Sequence, residues 1–157
     1  MDVRRHVGDH HPRRRDTRNL SMNEIELSGN TYRIGKLSAY DQFHVIRRAA
    51  PVLGAIAEAE DTLAALTTAL GQLPDDVADR ILFGGLLKCV TRKGAGGVGW
   101  APIVGGASNL LMFADITLPD MMRLARDSWA DNFADFLAGL AATGEATSPT
   151  NSPPGVG

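Results

Sequence analysis

The sequence predicts an α+β protein that is mostly helical, and three observations carry that reading. Alternating apolar and polar residues on either side of residues 29 and 30 predict an N-terminal β-hairpin. Apolar residues then recur at spacings of three and four, the period of a helical bundle. A glycine-rich interval holding a second short β-hairpin precedes a long C-terminal amphipathic helix with an aromatic inner seam. The chain has 157 residues, 44% of them hydrophobic, enough for one domain with its own core.

In the first hairpin, Ile25 and Leu27 alternate with Glu24 and Glu26, and Tyr32 and Ile34 alternate with Thr31 and Arg33. A two-residue loop at Gly29-Asn30 pairs Leu27 with Tyr32, Glu26 with Arg33 and Ile25 with Ile34, so apolar residues meet on one face and opposite charges on the other. Ser38 is the expected N-cap of the first helix, with Asp41 in its first turn where a carboxylate suits the helix dipole. Ala39, Phe43, Ile46, Ala50 and Leu53 form its expected apolar stripe, with Asp41, His44 and Arg48 on another side. Pro51 predicts a kink or a fresh start, because its ring removes a helical hydrogen bond. A second helix is expected over Glu60 to Leu70, stopping at Gly71. A third is expected from Val77 to about Cys89, opened by Pro74-Asp75-Asp76.

From Thr91 to Ser108 glycines interrupt the helical period. Val98 to Val104 and Asn109 to Phe113 read as short strands, and Pro102 confines the first of them to a sheet edge. The final helix is capped by Thr117 and entered by Pro119 and Asp120. Met122, Ala125, Trp129, Phe133, Phe136 and Leu140 make its inner seam, while Asp120, Asp127, Asp131 and Asp135 make an acidic outer face. Leu124 stands alone on that acidic side and, like Trp100, is a candidate partner contact.

The organisation expected is a disordered basic arm over residues 1–21, one globular domain over 22–142, and a disordered tail rich in Ser, Thr, Pro and Gly over 143–157. The chain holds 16 Lys and Arg against 18 Asp and Glu. Six of those basic residues and three of the acids fall within residues 1–19, so that stretch carries +3 and the remainder carries −5. The net charge of −2 gives no global positive field to draw the protein onto nucleic acid or a membrane. The single cysteine, Cys89, cannot form an internal disulfide. No apolar run reaches transmembrane length, and none follows the basic N-terminus as a secretory signal would require, so the expectation is a soluble cytoplasmic protein.

Several local patterns invite a chemical reading. Gly94-Ala95-Gly96-Gly97-Val98-Gly99 has the G-x-G-x-x-G spacing, but Trp100-Ala101-Pro102 does not continue as the helix whose amides would hold a phosphate, so a glycine loop is expected. Ser38, Asp41 and His44 follow at helical spacing, yet a triad needs His between the nucleophile and the carboxylate, and Ser38 is better used as a cap. His6, His10 and His11 lie in the basic arm without a fourth ligand close by. Arg13, Arg14 and Arg15 give that arm a salt-sensitive attraction for phosphate, which supports a second reading as a small nucleic-acid-binding regulator. Cys89, with Lys88 beside it and no His companion, reads as a buried small residue. No catalytic residue, cofactor or metal is assigned, and the expectation is a binding protein, not an enzyme.

Taken in order, Gly29-Asn30-Thr31-Tyr32-Arg33-Ile34-Gly35-Lys36-Leu37, Phe43-His44-Val45-Ile46-Arg47-Arg48-Ala49-Ala50-Pro51-Val52-Leu53, Val90-Thr91-Arg92, Gly99-Trp100-Ala101-Pro102-Ile103 and Leu111-Met112-Phe113-Ala114-Asp115-Ile116 resemble the tail assembly chaperones of long-tailed bacteriophages and prophages. The likeness covers about Met22 to Ala142 and leaves the basic arm outside. It implies a non-enzymatic protein of the host bacterial cytoplasm that coats the tape-measure protein, recruits tail-tube subunits and is absent from the finished virion. Self-association is compatible with that role. An apolar patch rimmed by charge would serve a displaceable client. Trp100, Ile103 and Phe113 near the glycine loop are the expected contacts, with Tyr40 and His44 on the first helix as a second set.

Overall fold

A computed structural model describes residues 23–144. The expected arm over 1–21 therefore lies outside the described residues. So does the expected tail, except that residues 143 and 144 extend the last helix.

Four antiparallel strands, β1 (Asn23–Leu27), β2 (Asn30–Ile34), β3 (Val90–Lys93) and β4 (Trp100–Pro102), form one sheet in the order β1-β2-β3-β4. The first hairpin turns at Ser28-Gly29, one residue earlier than expected. Ile25 therefore faces Tyr32, and Glu24 faces Arg33. The cause is conformational. Ser28 and Gly29 both have positive φ, 50° and 76°, as a two-residue hairpin loop with the twist of its strands requires. The register moves by two residues, so every side chain stays on its expected face. Arg33 pairs with Glu24 at 2.6 Å instead of with Glu26.

β3 occupies a stretch read from sequence as the start of the glycine-rich break. Val90 and Thr91 are β-branched and suit a pleated surface, and β3 pairs with both β2 and β4. Pro102 lies on β4, an edge, as its missing N–H requires. The expected strand over Asn109 to Phe113 contracts to one bridge between Val104 and Leu111.

Helix α1 (Ala39–Ala49) starts where Ser38 Oγ accepts from the Asp41 amide at 3.1 Å. Its buried side is Val45 and Ala49, with Ile46 partly buried beside them. Phe43, placed in the expected stripe, is 60% exposed, and Ala50 is exposed. The contact partner sets this rotation: α1 packs on a helical turn around Gly85, where the Cβ of any larger residue would stand 2.4 Å from Val45 Cγ2. Only a glycine admits that approach.

Pro51 sits in a 3₁₀ turn (Ala50–Val52) that leads into α2 (Leu53–Ala57), the fresh start expected of it. Asp61 caps α3 (Thr62–Gln72), accepting from the amides of Leu63 and Ala64 at 3.0 and 3.1 Å. Helix α4 (Asp75–Ile81) widens into a π turn over Leu82–Leu86, a form in which a helix absorbs an extra residue. It ends before β3 begins.

Helix α5 (Leu118–Gly144) crosses β2, α3 and the π turn. At its start Asp120 accepts from Ser28 Oγ at 2.7 Å and from Thr117 Oγ1 at 2.8 Å, while Thr117 Oγ1 accepts from the Asp120 amide. Asp120 is thus buried and ties the first hairpin turn to the helix. Leu124 is fully buried. Both residues correct the expected acidic face. A helix covered from two sides needs a wider apolar face than one seam provides, and here that face includes Leu124, Ala125, Ser128, Trp129 and Phe133. Phe136, placed in the seam, is 45% exposed.

Gly85→Ala should destabilise the protein by about 1–3 kcal/mol through the clash with Val45, whereas Gly71→Ala, with nothing within 4 Å of its Cβ, should be neutral or stabilising by up to about 1 kcal/mol. Urea denaturation reads both. The hydroxyls of Ser28 and Thr117 hold the Asp120 carboxyl below its ordinary range. Its contribution is therefore fully present above the unfolded carboxylate pKa and lost as pH falls through the lower folded value. Ser28→Ala should raise the Asp120 pKa and shift the acid-unfolding midpoint to higher pH, as a carboxyl NMR titration and a pH melt would report.

Candidate partner-binding surface

The five residues singled out from sequence fall in four places. Ile103 is fully buried in the core, so it cannot meet a partner while the protein is folded. The strand after the glycine loop alternates, and Ile103 follows β4 on the inward side with Tyr32, Ile34 and Val90.

Trp100 lies on the outer face of the sheet. The Arg33 guanidinium stacks on its ring with Cζ 3.9 Å from the centroid, and Lys93 Nζ stands 6.0 Å away. Phe113 is partly buried on the other side of the sheet, with Arg92 Cζ 4.6 Å from its centroid. Arg92 also binds Asp115 at 2.7 Å and Asn30 at 2.6 Å, and the Asp115 pair holds the guanidinium strongly protonated. These two aromatic rings, expected as one patch, are separated by the sheet and each carries a cation of its own chain.

Tyr40 and His44 are together on α1. Their rings meet edge to face at 4.3 Å, and Phe43 meets His44 at 5.4 Å. Tyr40 is 71% exposed. With Phe43 it forms an aromatic pair three residues apart on the outer side of the helix. Phe43 was the residue sequence reasoning missed, because its spacing also fits the inner stripe. Below it, Asp41 joins Lys88 at 3.1 Å and Ser38 at 2.9 Å, and these contacts lower its pKa against the opposing effect of burial.

A second apolar surface was not anticipated. Leu110 and Met112 are 66% and 62% exposed, beside a cleft of about 530 Å³ lined by Asp76, Asp79, Arg80, Phe83 and residues 108–111. The only sequence signal for it was Leu110 and Met112 themselves, which alternate with Leu111 and so point away from the Val104 bridge.

The glycine loop joins antiparallel strands. Ala95–Gly97 forms a 3₁₀ turn closed by the Gly97 amide on the Gly94 carbonyl at 3.0 Å, and the Gly94 amide on the Gly99 carbonyl, also at 3.0 Å, closes the loop around it. Gly96, Gly97 and Gly99 have positive φ. No helix follows, so the dinucleotide geometry is not built here. Ser38 bonds to Asp41 in capping the helix, not to His44. Among the described residues no group of three or more His, Cys, Asp or Glu is placed to hold a metal, and His6, His10 and His11 lie outside them. Cys89 contacts Ser128 Oγ at 3.2 Å, and burial pushes its thiol up, outweighing the hydrogen bonds that favour the thiolate. No helix among the described residues is long and apolar enough to cross a membrane.

A family model described as phage tail assembly chaperone protein, TAC, matches residues 28–143. The chain belongs to that family. The match runs from the first hairpin turn to the end of α5, so the helical bundle, most of the sheet and both apolar surfaces are parts of a tail assembly chaperone. β1 and the basic arm precede the match. No curated protein and no solved structure matches the chain.

In this chaperone Cys89 should react with an alkylating reagent more slowly than a cysteine in an unfolded peptide, because both burial and the raised pKa reduce its thiolate. Denaturant should remove the difference. Equal rates in native buffer would contradict the burial.

Proposed function

We propose that the chain is a non-enzymatic chaperone that holds the tape-measure protein in the host cytoplasm, helps bring tail-tube subunits to it, and leaves before the virion is complete. Family membership supports a role in tail assembly. The observation that carries the contact itself is the pair Tyr40 and Phe43, two aromatic rings that the fold leaves outside its core. A helical client buries apolar side chains at spacings of three and four, and an exposed helix face with the same spacing receives them. Aromatic residues contribute most of the energy of such contacts. His44 supports both rings from the same face.

Trp100 and Phe113 are secondary contacts in this reading, since each is already covered on one side by an arginine. A client that must be released to tube protein is served by a small, shallow apolar patch better than by an enclosed pocket, because moderate affinity keeps the complex displaceable.

The test is co-expression with the tape-measure protein of the same phage followed by affinity capture. Tyr40→Ala with Phe43→Ala should weaken capture at least about tenfold, with the unfolding free energy changed by no more than about 0.5 kcal/mol for each exposed position. Capture that is unchanged with both rings removed would exclude this surface. A tape-measure protein equally soluble and unbound with or without the chain would exclude the function.

A further inference from the structure

A small cleft of about 280 Å³ opens between β1 and α5, lined by Asn23, Glu24, Ile25, Ile34, Asp127, Ala130 and Asp131. Its floor is apolar, from Ile25, Ile34 and Ala130. Its rim carries the Asp127 and Asp131 carboxylates, and no basic residue lines it, although Lys36 Nζ donates to the Asp131 carbonyl nearby. Asp127 engages Arg126 through Oδ1, which leaves its Oδ2 for another donor, whereas the Glu24 carboxylate turns to the outer face of the sheet and pairs with Arg33. An apolar floor with an acidic rim suits an arginine side chain, whose stem packs on hydrocarbon while its guanidinium reaches carboxylates.

The chain itself delivers arginines to this place. Asn23, the first residue of β1, is part of the cleft wall and donates from Nδ2 to both Asp131 oxygens at 3.0 and 2.9 Å. Upstream stand Arg13, Arg14, Arg15 and Arg18, with Asp16 the one acid among them. At about 3.5 Å per residue, Arg18 lies within about 18 Å of Asn23 and Arg13 within about 35 Å. So short a tether holds the arginines at roughly millimolar effective concentration over the cleft. The charges also match, +3 over residues 1–19 against −5 for the rest.

We infer that the Arg13–Arg18 segment of this chain docks on the acidic cleft between β1 and α5. The segment and β1 both precede the family match, whereas the α5 wall of the cleft lies within it. A docked arm covers the Asp127 and Asp131 side of α5 and neutralises it, which leaves the aromatic face of α1 open to a partner.

Amide NMR spectra of the full chain test the contact, by comparing it with a variant carrying Arg13→Ser, Arg14→Ser, Arg15→Ser and Arg18→Ser. These four positions lie outside the described residues, so the variant alters none of the core contacts given above. At about 0.01 M salt, where charges act over about 30 Å, the resonances of Glu24, Ile25, Ala130 and Asp131 should differ between the two proteins; at about 1 M, where the range is about 3 Å, they should coincide. Asp127→Asn, which spares the Asn23–Asp131 bonds, should shrink the low-salt difference by about half. Spectra that coincide at both salts would overturn the inference, as would a difference that Asp127→Asn leaves unchanged. A difference that disappears on dilution would instead place the arm on a second copy and overturn docking within one chain.

Discussion

The apolar face of α5 is the constraint on which the other elements depend. Trp129 and Phe133 stack at 4.8 Å between ring centroids, and with Leu124 and Ala125 they are buried among residues from the sheet, α3 and the π turn. A sheet of four short strands has one face to bury and cannot do so alone. Here a single long helix supplies the cover. The polar residues of the same helix set its position along the sheet. Asp120 holds the Ser28 hydroxyl at one end, while Asn132 accepts from the Leu37 amide at 2.7 Å and donates to the Gly35 carbonyl at 3.3 Å further along. Packing supplies the energy, and these bonds select one register of helix on sheet.

That arrangement explains why the functional surface lies elsewhere. With α5 committed to the core and the sheet's inner face covered by it, the exposed large apolar side chains that stand in close pairs are those of α1 and of the Leu110–Met112 loop, while Val98, Leu118 and Phe136 are exposed singly. α1 is short and is held on one side only, by the close approach of Val45 to Gly85. Its opposite side has no element of the described chain to pack against. Tyr40 and Phe43 therefore remain at the surface as a consequence of how little of α1 the fold needs.

The sequence made the element types legible wherever a local rule was strong. Ser38 and Thr117 as caps, Pro51 as a restart, Pro102 as an edge residue and the alternation of the first hairpin all rest on interactions within a few residues. The hairpin register was off by two because Ser28-Gly29 and Gly29-Asn30 are both acceptable turn pairs, and the apolar pattern has a period of two that both satisfy. β3 was hidden because four residues are too few for periodicity to register; its partners β2 and β4 define it, and β2 lies more than fifty residues away. Leu124, Asp120 and Phe43 were misplaced for one common reason. A helical stripe read from sequence assumes a single covering surface, whereas α5 has two and α1 has a narrow one.

The candidate surface was legible in composition more than in place. Trp100, Ile103 and Phe113 cluster in sequence near the glycine loop, yet strand alternation sends Trp100 outward and Ile103 inward, and the sheet itself divides Trp100 from Phe113. Arg33 and Arg92 then occupy the two rings that remain. On α1 the same physics works the other way, because residues three and four apart in a helix share a face, so Tyr40, Phe43 and His44 stay together. A contact surface assembled from one helical turn persists whatever register the sheet adopts, whereas one assembled from a hairpin depends on every strand pairing around it. For a protein whose task is to hold an elongated client and then release it, the helical surface is also the better founded: its rings contribute little to the stability of their own domain, so the energy they gain on contact with a partner is not drawn from the fold.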